Sequence, residues 1–345
     1  MESTCNKKNK YFSVLICILA AVVTFIPAFR ENISFWRSAG QTAASGIAGL
    51  VIIQILTAFG FFVLSFSLSK DIIVSFSGVV LYLTCPYRIY ILFDCCDMGK
   101  CIVWALLPWL LWGLFSASHA GKIKWVGIAA AVAALAIIGY SDFVWLAITF
   151  AVILPAAALF RRTEWLFISV AGGVAALPKM LPYFDYCLRG GGESLEISII
   201  SIMNKGYEFG QMFTGFAYRD NLPGMGIGLF IVLFAMLWLR VVENAFRPDA
   251  AARYIMLLCV ILFIFSLACF PWDYVERAGA FFMRAVSVIG TPAVFFGYGC
   301  MLMCILGVYV IRALSNVKNS FASGAIPTFM MCISVFAAFN LGFDI

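Results

Sequence analysis

The chain has 345 residues, of which 64% are hydrophobic and only 12% charged, and its mean hydropathy is +1.01. A soluble domain is about half apolar and a quarter charged, so this composition excludes a soluble globular protein. The long apolar runs predict helices that span a membrane, and the alternating pattern of an outer-membrane barrel is absent. The net charge of +6 requires no nucleic acid as a partner. The single histidine, His119, excludes a metal site with several His ligands and argues against a Ser-His-Asp triad.

About eleven apolar segments of membrane-spanning length follow one another, so we expect an all-α polytopic bundle that forms one integral membrane domain over residues 1–345. Spans five and six are short for a hydrocarbon core of about 30 Å. The predicted spans are 11–29, 47–69, 72–92, 101–118, 125–140, 144–160, 165–184, 223–239, 254–272, 286–311 and 325–341.

The distribution of basic residues predicts the orientation of the bundle. Lys7, Lys8 and Lys10 precede the first span, and no convincing cleavage site follows it, so we expect an uncleaved span with a cytoplasmic N-terminus. With the N-terminus inside, successive loops are assigned to alternate sides of the membrane. The cytoplasmic side then holds more than half of the 23 basic residues but fewer than a third of the 17 acidic ones. Cytoplasmic loops are normally enriched in Lys and Arg. The longest connection, 185–222, is therefore predicted to be an extracytoplasmic loop.

A short charged junction separates spans three and four. Asp94, Asp97 and Lys100 are spaced three residues apart, so they lie near one face if they begin a helix. Arg88 comes one to two turns earlier. Ionisable groups between two spans are costly unless they face water, a partner or a substrate. Two interpretations remain open, namely a solvated loop that marks the membrane boundary and the rim of a binding or catalytic site.

The other charged candidates belong to the predicted outer face. Glu31 follows span one, and Asp142 ends span five. Arg277 and Arg284 lie in the segment before span ten. Anchoring of these arginines at the membrane interface is the alternative to a functional role.

Cysteine is abundant in the sequence, but its spacing is not that of a metal or redox motif. The 12 cysteines include no CxxC pair, and most lie in apolar runs, where Cys behaves as a small hydrophobe. Cys95 and Cys96 are adjacent at the junction, with Cys85 and Cys101 nearby. A disulfide or redox role is therefore a minor alternative to packing.

The stretch from Tyr82 to Leu107-Pro108 resembles one family of bacterial membrane proteins. It contains Tyr82, Pro86 and Tyr87, then the junction DCCDMGK, then the Leu-Pro pair. These features resemble the YfhO-like proteins, also named 6-pyruvoyl-tetrahydropterin synthase-related membrane proteins, over about residues 47–310. The resemblance implies a GT-C-like glycosyltransferase fold in a bacterial plasma membrane. Such enzymes transfer a sugar from a polyprenyl-phosphate carrier, embedded among membrane lipids, to an acceptor on the outer face during envelope glycan assembly.

The resemblance also implies a catalytic acid in the first outer loop, where this chain offers only Glu31. Asp94 and Asp97 are the other candidate bases, because glycosyl transfer needs a carboxylate that takes the acceptor proton. Cations must neutralise the departing phosphate, and Mg²⁺ or Mn²⁺ bound by carboxylates is an alternative to them. The candidate substrate-binding residues are Arg88, Lys100, Asp142, Arg277 and Arg284.

Two rival functions fit the same charges. A transporter or flippase for a lipid-linked or anionic solute would use them as an entry vestibule. A non-catalytic membrane assembly protein would use them for contacts only. Acidic groups clustered at one outer rim favour the enzyme, whereas charges deep inside several spans favour transport.

Overall fold

A computed structural model describes residues 43–93, 95, 97–119, 121–190, 206–213, 223–241 and 248–315, and within these ranges the fold is all-helical. The only extended pairing there is an isolated parallel bridge between Tyr207 and Leu267. The first and last predicted spans lie outside the described residues. The helices are α1 (Ala43–Ser69), α2 (Ile72–Leu83), α3 (Pro86–Phe93), α4 (Met98–Ala117), α5 (Lys122–Ser141), α6 (Phe143–Leu159), α7 (Thr163–Arg189), α8 (Phe209–Phe213), α9 (Gly226–Val241), α10 (Ala250–Ser266), α11 (Trp272–Arg277), α12 (Ala280–Ile289) and α13 (Ala293–Ser315).

Several of these helices are long and apolar enough to cross a membrane, which supports a multi-pass membrane protein. Among the described residues five qualify, namely Gly49–Ser69 of α1 together with α4, α5, α7 and α13, and α2 with α3 makes a sixth if the bent pair is one span. The apolar helices α6, α9, α10 and α12 are shorter than this. The expected total of about eleven spans is therefore not confirmed.

Two of the predicted spans are each divided between two helices. Span 72–92 consists of α2 and α3, which meet at an angle of 52°. Pro86 begins α3 without a backbone N–H to donate, and a residue before proline is disfavoured in helical conformation. Span 286–311 is divided between α12 and α13, where Gly290 has a φ of +69° and is followed by Thr291-Pro292. The helix axis therefore bends at the first break, and at the second the helix is interrupted before Pro292.

By its contacts, the described chain divides into two compact units. Unit 1 contains the described residues of 43–101, 210–259 and 300–315. Unit 2 contains those of 102–209 and 260–299. Each unit is therefore built from separate stretches of the chain.

Unit 2 is held together by close contacts between small residues. A Cβ atom added at Gly113 would come within 2.6 Å of the carbonyl oxygen of Gly127, so α4 and α5 approach closely. A Cβ atom added at Gly172 would come within 2.6 Å of the Leu135 side chain, which brings α7 against α5. Small residues permit this approach between helices in membranes. An ion pair of 3.0 Å joins Lys124 of α5 to Glu164 of α7.

In unit 1, the break between α2 and α3 packs against α9 and α13. Gly226, the first residue of α9, has a φ of +76°, and a Cβ atom there would overlap the ring of Pro86. Gly307 of α13 likewise leaves room for the side chain of Leu81. These contacts fix the position of the break, which carries the polar groups described next.

Candidate functional site

Asp97 directly precedes α4 and makes two kinds of contact with Lys100. Its Oδ1 atom accepts a hydrogen bond of 3.1 Å from the backbone N–H of Lys100. Its Oδ2 atom lies 2.9 Å from the Lys100 ammonium group. Asp is favoured at this position because it satisfies N–H groups that have no partner within the helix. The first turn of α4 thus holds the carboxylate and the ammonium group together.

The pKa of Asp97 lies below its ordinary value. Burial alone would raise this pKa, but hydrogen bonds and the charge of Lys100 outweigh that effect. The Asp97 side chain keeps 36% of its surface exposed. The junction therefore presents a carboxylate that is ionised and within reach of a ligand. The same carboxylate also caps the helix through its bond from the backbone N–H of Lys100.

Arg88 lies inside unit 1, with only 2% of its surface exposed. Its Nη1 atom donates a hydrogen bond of 3.0 Å to the carbonyl oxygen of Leu83, the last residue of α2. Its Nη2 atom donates to the side-chain oxygen of Gln54 on α1. A cation stabilises the carbonyl groups at the end of a helix. Arg88 thereby links α1, the end of α2 and α3.

The charge of Arg88 has only neutral partners among the described residues. The ionisable side chains that act on it are Tyr82, Cys85, Cys101 and Cys304, and no described carboxylate forms an ion pair with it. A buried cation without a counter-ion is costly. The guanidinium has more N–H groups than these two hydrogen bonds use. The charge of Arg88 is therefore left without a counter-ion among the described residues.

The other candidates that the structure describes belong to unit 2. Asp142 accepts hydrogen bonds from Val144 N at 2.8 Å and Trp145 N at 3.1 Å, so it caps α6. Arg284 donates to the carbonyl oxygens of Leu188 at 3.1 Å and Cys187 at 3.4 Å, near the end of α7.

Arg277 is the last residue of α11. Glu31 and Asp94 lie outside the described residues, so the structure does not test the proposed pair of Asp94 and Asp97. The candidates that the structure does describe fall into two sets, with Arg88, Asp97 and Lys100 in unit 1 and Asp142, Arg277 and Arg284 in unit 2.

A metal site is not assembled in the part of the chain that the structure describes. No group of three or more His, Cys, Asp or Glu side chains there could hold an ion. Mg²⁺ and Mn²⁺ prefer several oxygen ligands, and Asp97 alone does not supply them. We therefore assign no step to a metal.

Gln54 is the functional neighbour that the sequence prediction missed. It is 5% exposed and is bonded to Arg88 from a different helix. A single amide in the apolar run of α1 was the available signal, because polar residues inside spans usually have a partner.

No family model, curated protein or solved structure matches the chain. The family resemblance described above therefore remains an expectation.

Proposed function

We propose that the protein is a GT-C-like membrane glycosyltransferase that uses a polyprenyl-phosphate-linked sugar in bacterial envelope glycan assembly. The observation that carries the proposal is the buried guanidinium of Arg88, which has no described carboxylate as a counter-ion. A phosphate group would supply that counter-ion, and the planar fork of Arg suits phosphate oxygens.

Asp97 provides the second element of the proposal. It belongs to the same unit as Arg88 and is ionised and partly exposed. A carboxylate of low pKa is a weak proton acceptor, because a general base works best when its pKa is near the working pH. We therefore assign Asp97 the binding and orientation of an acceptor hydroxyl, with Lys100 holding the carboxylate in place.

The proposed protein crosses a bacterial plasma membrane about eleven times, with its N-terminus in the cytoplasm. The shorter helices α6 and α10 have 17 residues each; α6 coincides with predicted span six within one residue, and α10 overlaps predicted span nine over 254–266. At a rise of about 1.5 Å per residue, each extends roughly 26 Å. That length crosses most of a hydrocarbon core of about 30 Å.

A transporter or flippase for a lipid-linked anion is the second candidate. The break between α2 and α3 favours it, because transporters often bind their substrates where a spanning helix is interrupted. Arg88 follows this break by three residues. Both candidate functions thus require an anion at Arg88.

A binding experiment on purified full-length protein tests the shared requirement. We expect Arg88→Gln to lose at least tenfold in affinity for a polyprenyl phosphate, while Arg88→Lys loses less because it keeps the charge. Arg312→Gln is the matched control, since Arg312 also donates to a helix-terminal carbonyl, Leu68 O at 2.8 Å, but is exposed. Equal affinity in the wild type and in a folded Arg88→Gln variant would refute the phosphate role.

A second assay separates the two candidates. Proteoliposomes that contain a radiolabelled polyprenyl-phosphate sugar and an acceptor lipid should form a glycosylated product if the protein is an enzyme. Movement of the labelled lipid across the bilayer without product would identify a flippase instead.

A further inference from the structure

Two connections between helices meet at one end of unit 2. The first joins the end of α4 to the start of α5, and the second joins the end of α6 to the start of α7. The ion pair of 3.0 Å between Lys124 and Glu164 connects the first turns of α5 and α7. The indole N–H of Trp165 also donates a hydrogen bond of 2.8 Å to the carbonyl oxygen of Leu114 on α4. The two connections therefore form one surface.

This surface lies where three candidate membrane spans begin or end. α4 ends at Ala117, α5 begins at Lys122 and α7 begins at Thr163, and each helix is long and apolar enough to cross a membrane. Trp125, in the first turn of α5, is 69% exposed. Trp is enriched at the level of the lipid headgroups, because its ring is apolar and its N–H is polar. In a membrane, we therefore expect this surface at the headgroup level of one leaflet.

The surface carries an excess of positive charge. Between residues 117 and 125, and again between 159 and 165, the charged residues are Lys122, Lys124, Arg161, Arg162 and Glu164. The four basic residues together form the basic surface. Only Lys124 is paired with the single carboxylate, and the ion pairs found among the described residues do not include Lys122 or either arginine. These three side chains are exposed, so the basic surface attracts anions from outside the protein.

The backbone between α6 and α7 fixes the position of both arginines. The N–H of Arg161 donates to the carbonyl oxygen of Ala158 at 3.3 Å, and that of Arg162 donates to Ala157 O at 2.9 Å. These two bonds form a Schellman motif, whose left-handed position is usually glycine. Arg161 occupies that position with a φ of +52°, a conformation that is costly for a residue with a side chain. The backbone alone therefore does not explain an arginine here.

We propose that the basic surface binds the phosphodiester headgroup of an anionic phospholipid of the bilayer. The guanidinium groups of Arg161 and Arg162 present planar N–H groups that suit phosphate oxygens. The exposed ring of Trp125 would lie beside the lipid at the headgroup level. The inference is independent of the proposed glycosyl transfer, because the residues that carry that proposal belong to unit 1.

The proposed orientation places the basic surface in the cytoplasmic leaflet, where anionic lipids produce a negative surface potential. One basic residue near such a leaflet strengthens binding about fivefold. Orientation by charge alone would also enrich this side of the protein in Lys and Arg. A measurement of bound lipid distinguishes the two explanations, since orientation alone requires no lipid that stays with the protein.

Native mass spectrometry of the purified full-length protein in a non-ionic detergent provides this measurement. The protein is mixed with phosphatidylglycerol or with phosphatidylcholine of the same acyl chains, and the fraction that retains lipid is recorded. We expect phosphatidylglycerol to bind at least tenfold more tightly. An equal concentration of inorganic phosphate should not displace it, because phosphate has no acyl chains. Equal binding of the two lipids, or displacement by phosphate, would overturn the inference.

Variants test whether the lipid binds at the basic surface. The double variant Arg161→Gln/Arg162→Gln should bind phosphatidylglycerol at least tenfold more weakly than the wild type. Arg189→Gln is the matched control, because Arg189 is an exposed arginine at the other end of the 27-residue helix α7, about 40 Å away. It should bind the lipid as the wild type does. Wild-type affinity in the folded double variant, or an equal loss in Arg189→Gln, would contradict the proposed site.

The variant Arg161→Gly separates lipid binding from folding. Glycine adopts a positive φ without strain, so this variant should unfold at the same temperature as the wild type or at a higher one. It should nevertheless bind phosphatidylglycerol about fivefold more weakly, because one positive charge is lost. A purely structural arginine would give the reverse result, with lower stability and unchanged lipid affinity. That result would remove Arg161 from the proposed site.

Discussion

Arg88 on α3 donates a hydrogen bond to Gln54 on α1, and both side chains are buried. A charged group and a neutral amide from different helices thus form a polar contact inside unit 1. Because the amide oxygen accepts from the guanidinium, Gln54 offsets part of the cost of burying the charge.

We predict that Gln54→Leu destabilises the protein by about 1–3 kcal/mol, because it leaves a buried donor without its acceptor. Thermal unfolding in detergent measures the change. Thr57→Val, one turn away on α1, is the control, since the Thr57 hydroxyl bonds only to the Ile53 carbonyl of its own helix, at 2.6 Å, among the contacts described. Equal stability of the two variants would show that the Arg88–Gln54 contact is energetically neutral.

We predict that Asp97→Asn preserves folding but reduces sugar transfer at least tenfold. Asn also caps helices well, so the variant loses mainly the ion pair with Lys100, and exposed pairs contribute less than about 1 kcal/mol. Asp71 caps α2 in the same way, accepting from Ile73 N at 2.7 Å and Val74 N at 3.2 Å. Asp71→Asn should therefore keep wild-type transfer. Wild-type sugar transfer by Asp97→Asn would mean that Asp97 only caps α4.

The pKa of Asp97 also predicts how stability depends on pH. A folded-state pKa below the unfolded value of about 3.9 means that the ionised carboxylate stabilises the fold above about pH 4. This contribution disappears as the pH falls through the folded-state pKa. The stability difference between the wild type and Asp97→Asn should thus be constant from pH 5 to 8 and shrink below pH 4. A difference that grows on acidification would contradict the sign of the shift.

Gly226 should be intolerant of a side chain. We expect Gly226→Ala to cost about 1–3 kcal/mol, because its positive φ disfavours other residues and the added methyl group would overlap Pro86. Gly210 on α8 has no atom within 4 Å of an added Cβ atom, so Gly210→Ala serves as the control. Denaturation midpoints of the two variants compare the effects directly. An unchanged midpoint for Gly226→Ala would mean that α9 shifts without cost.

The proposed orientation predicts labelling from opposite sides of the membrane. With the exposed Cys269 replaced by Ser, a Cys at Glu208 should react with an impermeant maleimide in intact cells. A Cys at Lys122 should react only after permeabilisation. Both positions are exposed, so accessibility of the side chain does not limit either reaction. The opposite labelling pattern would mean that the proposed orientation is wrong.

Hydropathy predicted the helices well where the apolar run has no internal break. The run 144–160 corresponds to Phe143–Leu159, even though Pro155 within it removes one backbone hydrogen bond. The run 72–92 is divided, because α2 ends at Leu83 and Pro86 begins α3, although Pro108 and Pro155 remain inside their helices. A proline lowers the stability of a helix, and packing decides whether the chain bends there.

The candidate site was predictable only in part. The spacing of Asp97 and Lys100 indicated their contact, because residues three apart meet on a helix. The burial of Arg88 was not predictable, since it depends on Gln54 from a separate stretch of the chain. Contacts between distant segments are not encoded in local periodicity.

The composition of unit 1 from three stretches of the chain constrains its biosynthesis. The ribosome releases 43–101 first and 300–315 last among these stretches. In the proposed membrane protein, Arg88 therefore enters the bilayer before α13 has been synthesised, and an arginine in an apolar segment adds to the cost of insertion. Its partners Gln54 and Leu83 belong to the same first stretch, but we expect unit 1 to remain incompletely packed until α13 arrives. Truncation before residue 300 should consequently direct the protein to degradation by membrane proteases.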